Sequence, residues 1–137
     1  MRADGGQKHL GVKRYRSPLA HARGLGSAKE GVGHFWAQRV SAIALVPLSL
    51  WFVFSVAQLA GADFAAVRQW VHAPSVAVAL VLFLAALAYH SMLGVQVVIE
   101  DYVGGDGARL VALLLSKFAH AVVAAASIFA VLKVALA

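Results

Sequence analysis

Three apolar stretches, about 40–60, 76–99 and 114–136, constrain this chain most, because each is near the roughly 20 residues a helix needs to cross a hydrocarbon core. With 61% hydrophobic and 13% charged residues in 137, the chain is too apolar for an ordinary soluble domain. A single aqueous core cannot take up all three stretches. The expected fold is therefore an all-α integral membrane protein with three transmembrane helices.

Residues 1–39 have the opposite character. Arg2, Lys8, Lys13, Arg14, Arg16, Arg23, Lys29 and Arg39 stand there against Asp4 and Glu30. This basic segment belongs outside the bilayer, and residues 40–137 form the membrane anchor domain. A cleavable signal has its apolar run directly after a short basic stretch, whereas about forty polar residues come first here, so the segment is expected to be retained. The net charge of +6 does not call for nucleic acid, because eight of the twelve basic residues precede the first span. Topology and anionic lipid account for them there. Without cysteine there is no disulfide, no thiolate metal site and no covalent haem attachment, so a metal or cofactor would be held through His or Met.

Lys and Arg collect on cytoplasmic flanks, which assigns the N-terminus to the cytoplasm and, after three crossings, the C-terminus to the far side. The first loop, 61–75, carries one Arg and one Asp and faces outward; the second, 100–109, faces inward. Pro47 frees the Ile43 carbonyl and predicts a bend in the first helix. Pro74-Ser75 opens the second helix. Gly104-Gly105-Asp106-Gly107 then forces a turn, with Asp106 the expected N-cap of a third helix beginning near Ala108. Lys117 and Lys133, about 24 Å apart along a helix, are expected to bracket the membrane and snorkel to its two faces. Trp36, Trp51 and Phe52 suit either an interface or a flat cofactor, and Trp70 reads as an interfacial residue.

His90 is the most informative side chain. It falls about ten residues from the cytoplasmic end of the second helix, roughly 14 Å deep and near the bilayer midplane. An imidazole buried there bonds a neighbouring helix, relays protons or ligates haem iron, and position alone leaves all three open. Gly94 at i+4 and Ala86 at i−4 make a small face that a porphyrin can approach. One histidine supplies one axial ligand. The second would come from another chain or from His120, which is expected at a poor depth, nearer the cytoplasmic side.

Asp101 and Tyr102 follow about 17 Å further along the same helix, at the cytoplasmic interface. Tyr102 is there either an interfacial anchor or a hydrogen-bond donor to a quinone carbonyl, with Asp101 beside it for polarity or proton delivery. Arg39, at the mouth of the first helix, is either one more positive-inside charge or a clamp for haem propionates.

The run His90-Ser91-Met92-Leu93-Gly94-Val95-Gln96, continued by Glu100-Asp101-Tyr102-Val103, resembles the second helix of the smaller hydrophobic membrane anchor of succinate dehydrogenase, respiratory complex II. The family pattern is H-x3-G, then D-Y-V at the same spacing. Gly31-Val32-x-x-Phe35-x3-Arg39-Val40-Ser41-Ala42-Ile43 is similar to the start of that family's first helix. The resemblance covers about Gly31 to the C-terminus. It implies a three-helix anchor pairing with a second three-helix membrane anchor of cytochrome-b type, an iron–sulfur subunit and a flavoprotein subunit. Together these pass electrons from succinate to ubiquinone.

By the same resemblance His90 is an axial ligand of haem b, with the second ligand from the partner anchor. Arg39 faces the propionates, and Tyr102 with Asp101 lines the ubiquinone site. The chain has no flavin-binding fold and no iron–sulfur ligands, so succinate oxidation belongs to the other subunits and no catalytic residue is assigned here. The basic extension is longer than in enterobacterial relatives and the third helix matches only in character, so Ser116, Lys117 and His120 receive a location and no role.

Two other readings stand beside this one. One is the cytochrome-b anchor of a different quinone-linked dehydrogenase or of a fumarate reductase, although such anchors often carry both haem ligands in one longer chain. The other is a haem-free membrane scaffold or transporter component in which His90 only holds helices together. The absence of a Ser-rich, cleavable-looking presequence favours a bacterial inner membrane over a mitochondrial one.

Overall fold

The structure, a computed structural model, describes the backbone of residues 28–137 and the side chains from 31 onward. The expectations for the basic segment over residues 1–30 lie outside the described side chains. Among the described residues four helices follow in order: α1, Ala28–Gln58; α2, Phe64–His72; α3, Pro74–Tyr102; and α4, Asp106–Leu136. The three long ones, α1, α3 and α4, are apolar and long enough to cross a membrane. At 1.5 Å per residue α3 reaches about 43 Å, which covers a hydrocarbon core together with its headgroup zones.

The helix ends differ from the expected ones for local reasons. α1 begins at Ala28, twelve residues before Val40, because nothing stronger than Gly31 and Gly33 opposes helix there and a headgroup zone accepts polar side chains. Pro47 is taken up inside the continuous α1. Within the first loop, α2 was not expected; Asp63 caps it, its Oδ1 accepting from the Ala66 backbone N–H at 2.8 Å. Ala73, extended before Pro74, ends it. Asp106 is the first residue of α4 and not its cap. Gly105 caps the helix at φ 85°, a conformation open to glycine, and leaves the Asp106 carboxylate in the first turn at the positive end of the helix dipole.

α3 lies in the middle. It packs on α1 along one side and on α4 along the other, while among the described residues α1 and α4 do not pack on each other. The result is an open row of helices with very little interior: among the described residues only Ser41, Ala77, Leu80 and Leu93 are buried. Most large apolar side chains face outward, as suits a chain whose solvent is lipid or other helices. Aromatic pairs fix the edges of the row. Phe52 stacks on Phe83 at 5.0 Å between α1 and α3, and Trp70 of α2 stacks on Trp51 of α1 at 6.0 Å, so Trp70 is held by a ring as well as by any interface.

The pairings are antiparallel and set the register. Ser41 and Phe52 of α1 stand opposite His90 and Phe83 of α3, and Ser91 of α3 stands opposite His120 of α4. Lys117 lies about 16 Å along an unbroken α4, exposed and about 4.5 Å along the axis from His120, and Lys133 lies in the last turn.

Candidate functional site

A polar stripe runs down α1 at His34, Gln38 and Ser41, the i, i+4, i+7 spacing of one helix face, and it meets α3 at His90 and Gly94. Ser41 is only 8% exposed, and His90 is half-buried. The Ser41 Oγ lies 2.9 Å from His90 Nδ1 and also donates to the Gln38 carbonyl oxygen at 3.0 Å. On the other side of the ring, Gln38 Nε2 is 3.5 Å from His90 Nε2, a long contact at the limit of a hydrogen bond. Gln38 Oε1 and His34 Nε2 are buried without partners. Unpaired polar atoms of this kind cost about 1–3 kcal/mol each, so the stripe is a polar pocket with spare hydrogen-bonding capacity inside an apolar domain.

Gly94 does what a small residue does, though for a different neighbour than expected. A Cβ there would stand 3.8 Å from Gln38 Nε2, so the space beside His90 is taken by the Gln38 amide of α1 and is not an open face. A flat group reaching Nε2 would have to move that amide, which is the far end of a flexible side chain.

His120 corrects the depth read from the sequence. Its Nε2 is 3.1 Å from the Ser91 Oγ, which puts it level with the residue next to His90. Its Nδ1 is 2.8 Å from the Ser116 carbonyl oxygen, so both ring nitrogens are engaged within the α3–α4 seam. His90 and Ser91, successive on α3, face opposite neighbours. His120 is therefore removed from the His90 pocket by the body of α3 and by its own hydrogen bonds, not by depth. Beside it a cleft of about 480 Å³ opens between α3 and α4, apolar apart from Ser91, His120 and Ser127.

The other residues singled out from the sequence lie elsewhere. Asp101 and Tyr102 are the last two residues of α3, both exposed, Tyr102 at 84%. They are about 18 Å along the axis from His90, so the chain carries two levels and not one joint site. The turn after them is tied by Arg109, whose Nε donates to the Val103 carbonyl oxygen at 3.3 Å. One turn earlier, the Gln96 amide donates to Glu100 Oε1 at 2.8 Å. Arg39 is exposed, its guanidinium 4.8 Å above the Phe35 ring, and Trp36 meets the same ring edge-on at 6.2 Å. Sequence reading missed Ser41, Gln38 and His34; their helical spacing at the head of an apolar span was the signal that would have found them.

The fold and this pocket define a class: a helical membrane subunit whose mid-span histidine is hydrogen-bonded to a neighbouring helix and whose helices form an open row. The chain matches the succinate dehydrogenase/fumarate reductase transmembrane subunit family over residues 13–132 and belongs to it, as one of the smaller hydrophobic membrane anchors of succinate dehydrogenase. It is 39% identical over 114 residues to the succinate dehydrogenase hydrophobic membrane anchor subunit of Paracoccus denitrificans, covering 82% of this chain and 88% of the relative. The corresponding subunit of Rickettsia bellii (strain RML369-C) is 33% identical over 103 residues, 75% of this chain and 82% of the relative. The succinate dehydrogenase membrane anchor subunit of Reclinomonas americana is 33% identical over 92 residues, 65% and 77% respectively. No solved structure matches the chain significantly.

Proposed function

We propose that this chain holds haem b through His90 Nε2, shares it with a second three-helix anchor that supplies the other axial ligand, and contributes Tyr102 and Asp101 to a ubiquinone-reduction site. The observation that carries this reading is the half-buried His90, gripped at Nδ1 by Ser41 in a polar pocket within the span. A neutral imidazole with one nitrogen engaged and the other faced only by a movable amide has the donor chemistry that haem iron requires. Among the described residues no three of His, Asp or Glu come together, so iron held here takes its remaining bonds from a macrocycle and a partner. Bound haem supplies a one-electron couple.

The chain's own residues then have separate tasks. Ser41 orients the ring at Nδ1, and the Gln38 amide gives way at Nε2. Arg39, on the exposed face of α1, is free to meet the propionates. The Tyr102 phenol donates a hydrogen bond to a quinone carbonyl, and Asp101 beside it supplies polarity or passes protons from water to the quinone. The open row of helices supports a second anchor on its unclosed face, with iron–sulfur and flavoprotein subunits at the end that carries Tyr102. That end is cytoplasmic by the charge rule, and the Paracoccus and Rickettsia relatives support a bacterial inner membrane.

A second reading rests on the same contact. The 2.9 Å bond to Ser41 also suits a His90 that merely joins α1 to α3. Reduced-minus-oxidised optical spectra of the complex isolated through this chain, wild type against His90→Ala, separate the two. A b-type difference band lost in the variant is expected. A wild-type complex without pigment would leave His90 a structural residue.

A further inference from the structure

Counting protons favours one direction for the hydrogen bonds around His90. The Ser41 hydroxyl has one hydrogen, and at 3.0 Å the Gln38 carbonyl oxygen takes it, since a carbonyl only accepts. At the 2.9 Å contact the Ser41 Oγ is then the acceptor, and His90 Nδ1 carries the proton. Nε2 keeps its lone pair, which agrees with its other neighbour: the Gln38 Nε2 amide 3.5 Å away is a donor only. The opposite direction needs the Gln38 amide turned over, so that Oε1 accepts from Nε2–H, and takes the Ser41 hydrogen away from the Gln38 carbonyl. Amide to Nε2, Nδ1–H to hydroxyl, hydroxyl to carbonyl is a closed ring of three donations that begins and ends on Gln38.

We propose that Ser41 is a positioning residue that holds His90 in its Nδ1–H form and so presents the Nε2 lone pair for ligation. Its consequence for haem rests on the function proposed above, while the proton's place on the ring does not. A hydroxyl accepting from Nδ1–H fixes the rotation of the ring and makes Nε2 a stronger donor, the part that outer partners of metal-bound histidines play. Gln38 holds the lone pair until a ligand replaces its amide.

Two measurements test this. In the full chain in lipid nanodiscs without haem, ¹⁵N shifts of labelled histidine, assigned by comparison with His90→Ala, report which nitrogen of His90 is protonated. Nδ1–H is expected in the wild type and in Ser41→Thr, and its loss as the dominant form in Ser41→Ala. In the assembled complex, Ser41→Ala is expected to lower haem retention roughly tenfold and to raise the haem reduction potential, with Ser41→Thr restoring both.

An Nε2–H wild type overturns the proposal. So does a Ser41→Ala complex that keeps its tautomer and potential, because a purely structural serine would leave both unmoved. If the complex holds no haem, the reading of His90 as a ligand fails, and the tautomer measurement still decides the role of Ser41.

Discussion

The Ser91 hydroxyl stands 3.1 Å from His120 Nε2, so a serine and a histidine clasp α3 to α4 at the level where the preceding residue, His90, faces α1. With Nδ1 donating to the Ser116 carbonyl at 2.8 Å, His120 is a satisfied side chain. His120→Ala should therefore loosen the α3–α4 seam by about 0.5–1.5 kcal/mol. Unfolding of the isolated complex in denaturing detergent reads this, and the b-type difference spectrum should be unchanged. Bleaching of that band would make His120 a ligand instead.

Gly94 separates room from chemistry. Gly94→Ala adds a methyl group at an ordinary 3.8 Å from Gln38 Nε2 and should be tolerated, with haem content near that of the wild type. Gly94→Phe has no such space and should cost roughly 1–3 kcal/mol as α1 is pushed off α3. Pigment per complex and thermal stability, measured together on both variants, check it.

At the other level, Tyr102→Phe removes one phenol hydroxyl from an exposed helix end and nothing from the packing. Losing a neutral hydrogen bond of about 1 kcal/mol should lower succinate–ubiquinone reductase activity by somewhat under tenfold, while succinate oxidation by an artificial dye stays intact. Equal loss of both activities would take Tyr102 out of the quinone site.

Arg39 lies on the surface over the Phe35 ring, free of any ion pair among the described residues. If it meets the propionates, Arg39→Ala removes positive charge near the haem, favours the oxidised form and lowers the potential. An exposed pair is worth up to about 1 kcal/mol, roughly 40 mV for a one-electron couple, and Arg39→Lys should recover most of it. Redox titration of the complex reads the sign directly; a potential that rises or does not move would return Arg39 to a topological charge.

α2 packs on α4 and α3, and Trp70 adds a tie to α1 through the Trp51 ring. Trp70→Ala should cost about 0.5–1.5 kcal/mol locally and expose the first loop to trypsin at Arg68, with the haem spectrum unaffected.

Much of this was legible because lipid imposes simple rules. Apolar runs of membrane length gave three helices, Pro74 gave the start of α3, and the glycine-rich turn gave the break before α4. The ends of α1 and α4 moved because helix propensity outside the hydrocarbon is weak and a single glycine at positive φ resets the cap. α2 was missed because nine residues with an Asp63 cap look like any polar loop.

The pocket was half legible. His90 announces itself, since a lone imidazole in an apolar run demands a partner, but Ser41, Gln38 and His34 are modest residues whose meaning depends on what faces them. The same limit applies to His120, whose level beside Ser91 only the α3–α4 register gives.

The sequence by itself determined the solvent, the number of crossings and the family, because hydropathy and short motifs are properties of neighbours along the chain. Only the tertiary structure decided the register of α1 and α4 on α3. That register places Ser41 against His90 Nδ1 and Ser91 against His120 Nε2, and with it the partners that each ring finds across the helices. Such pairings join residues 49 and 29 positions apart, and no local rule reaches that far.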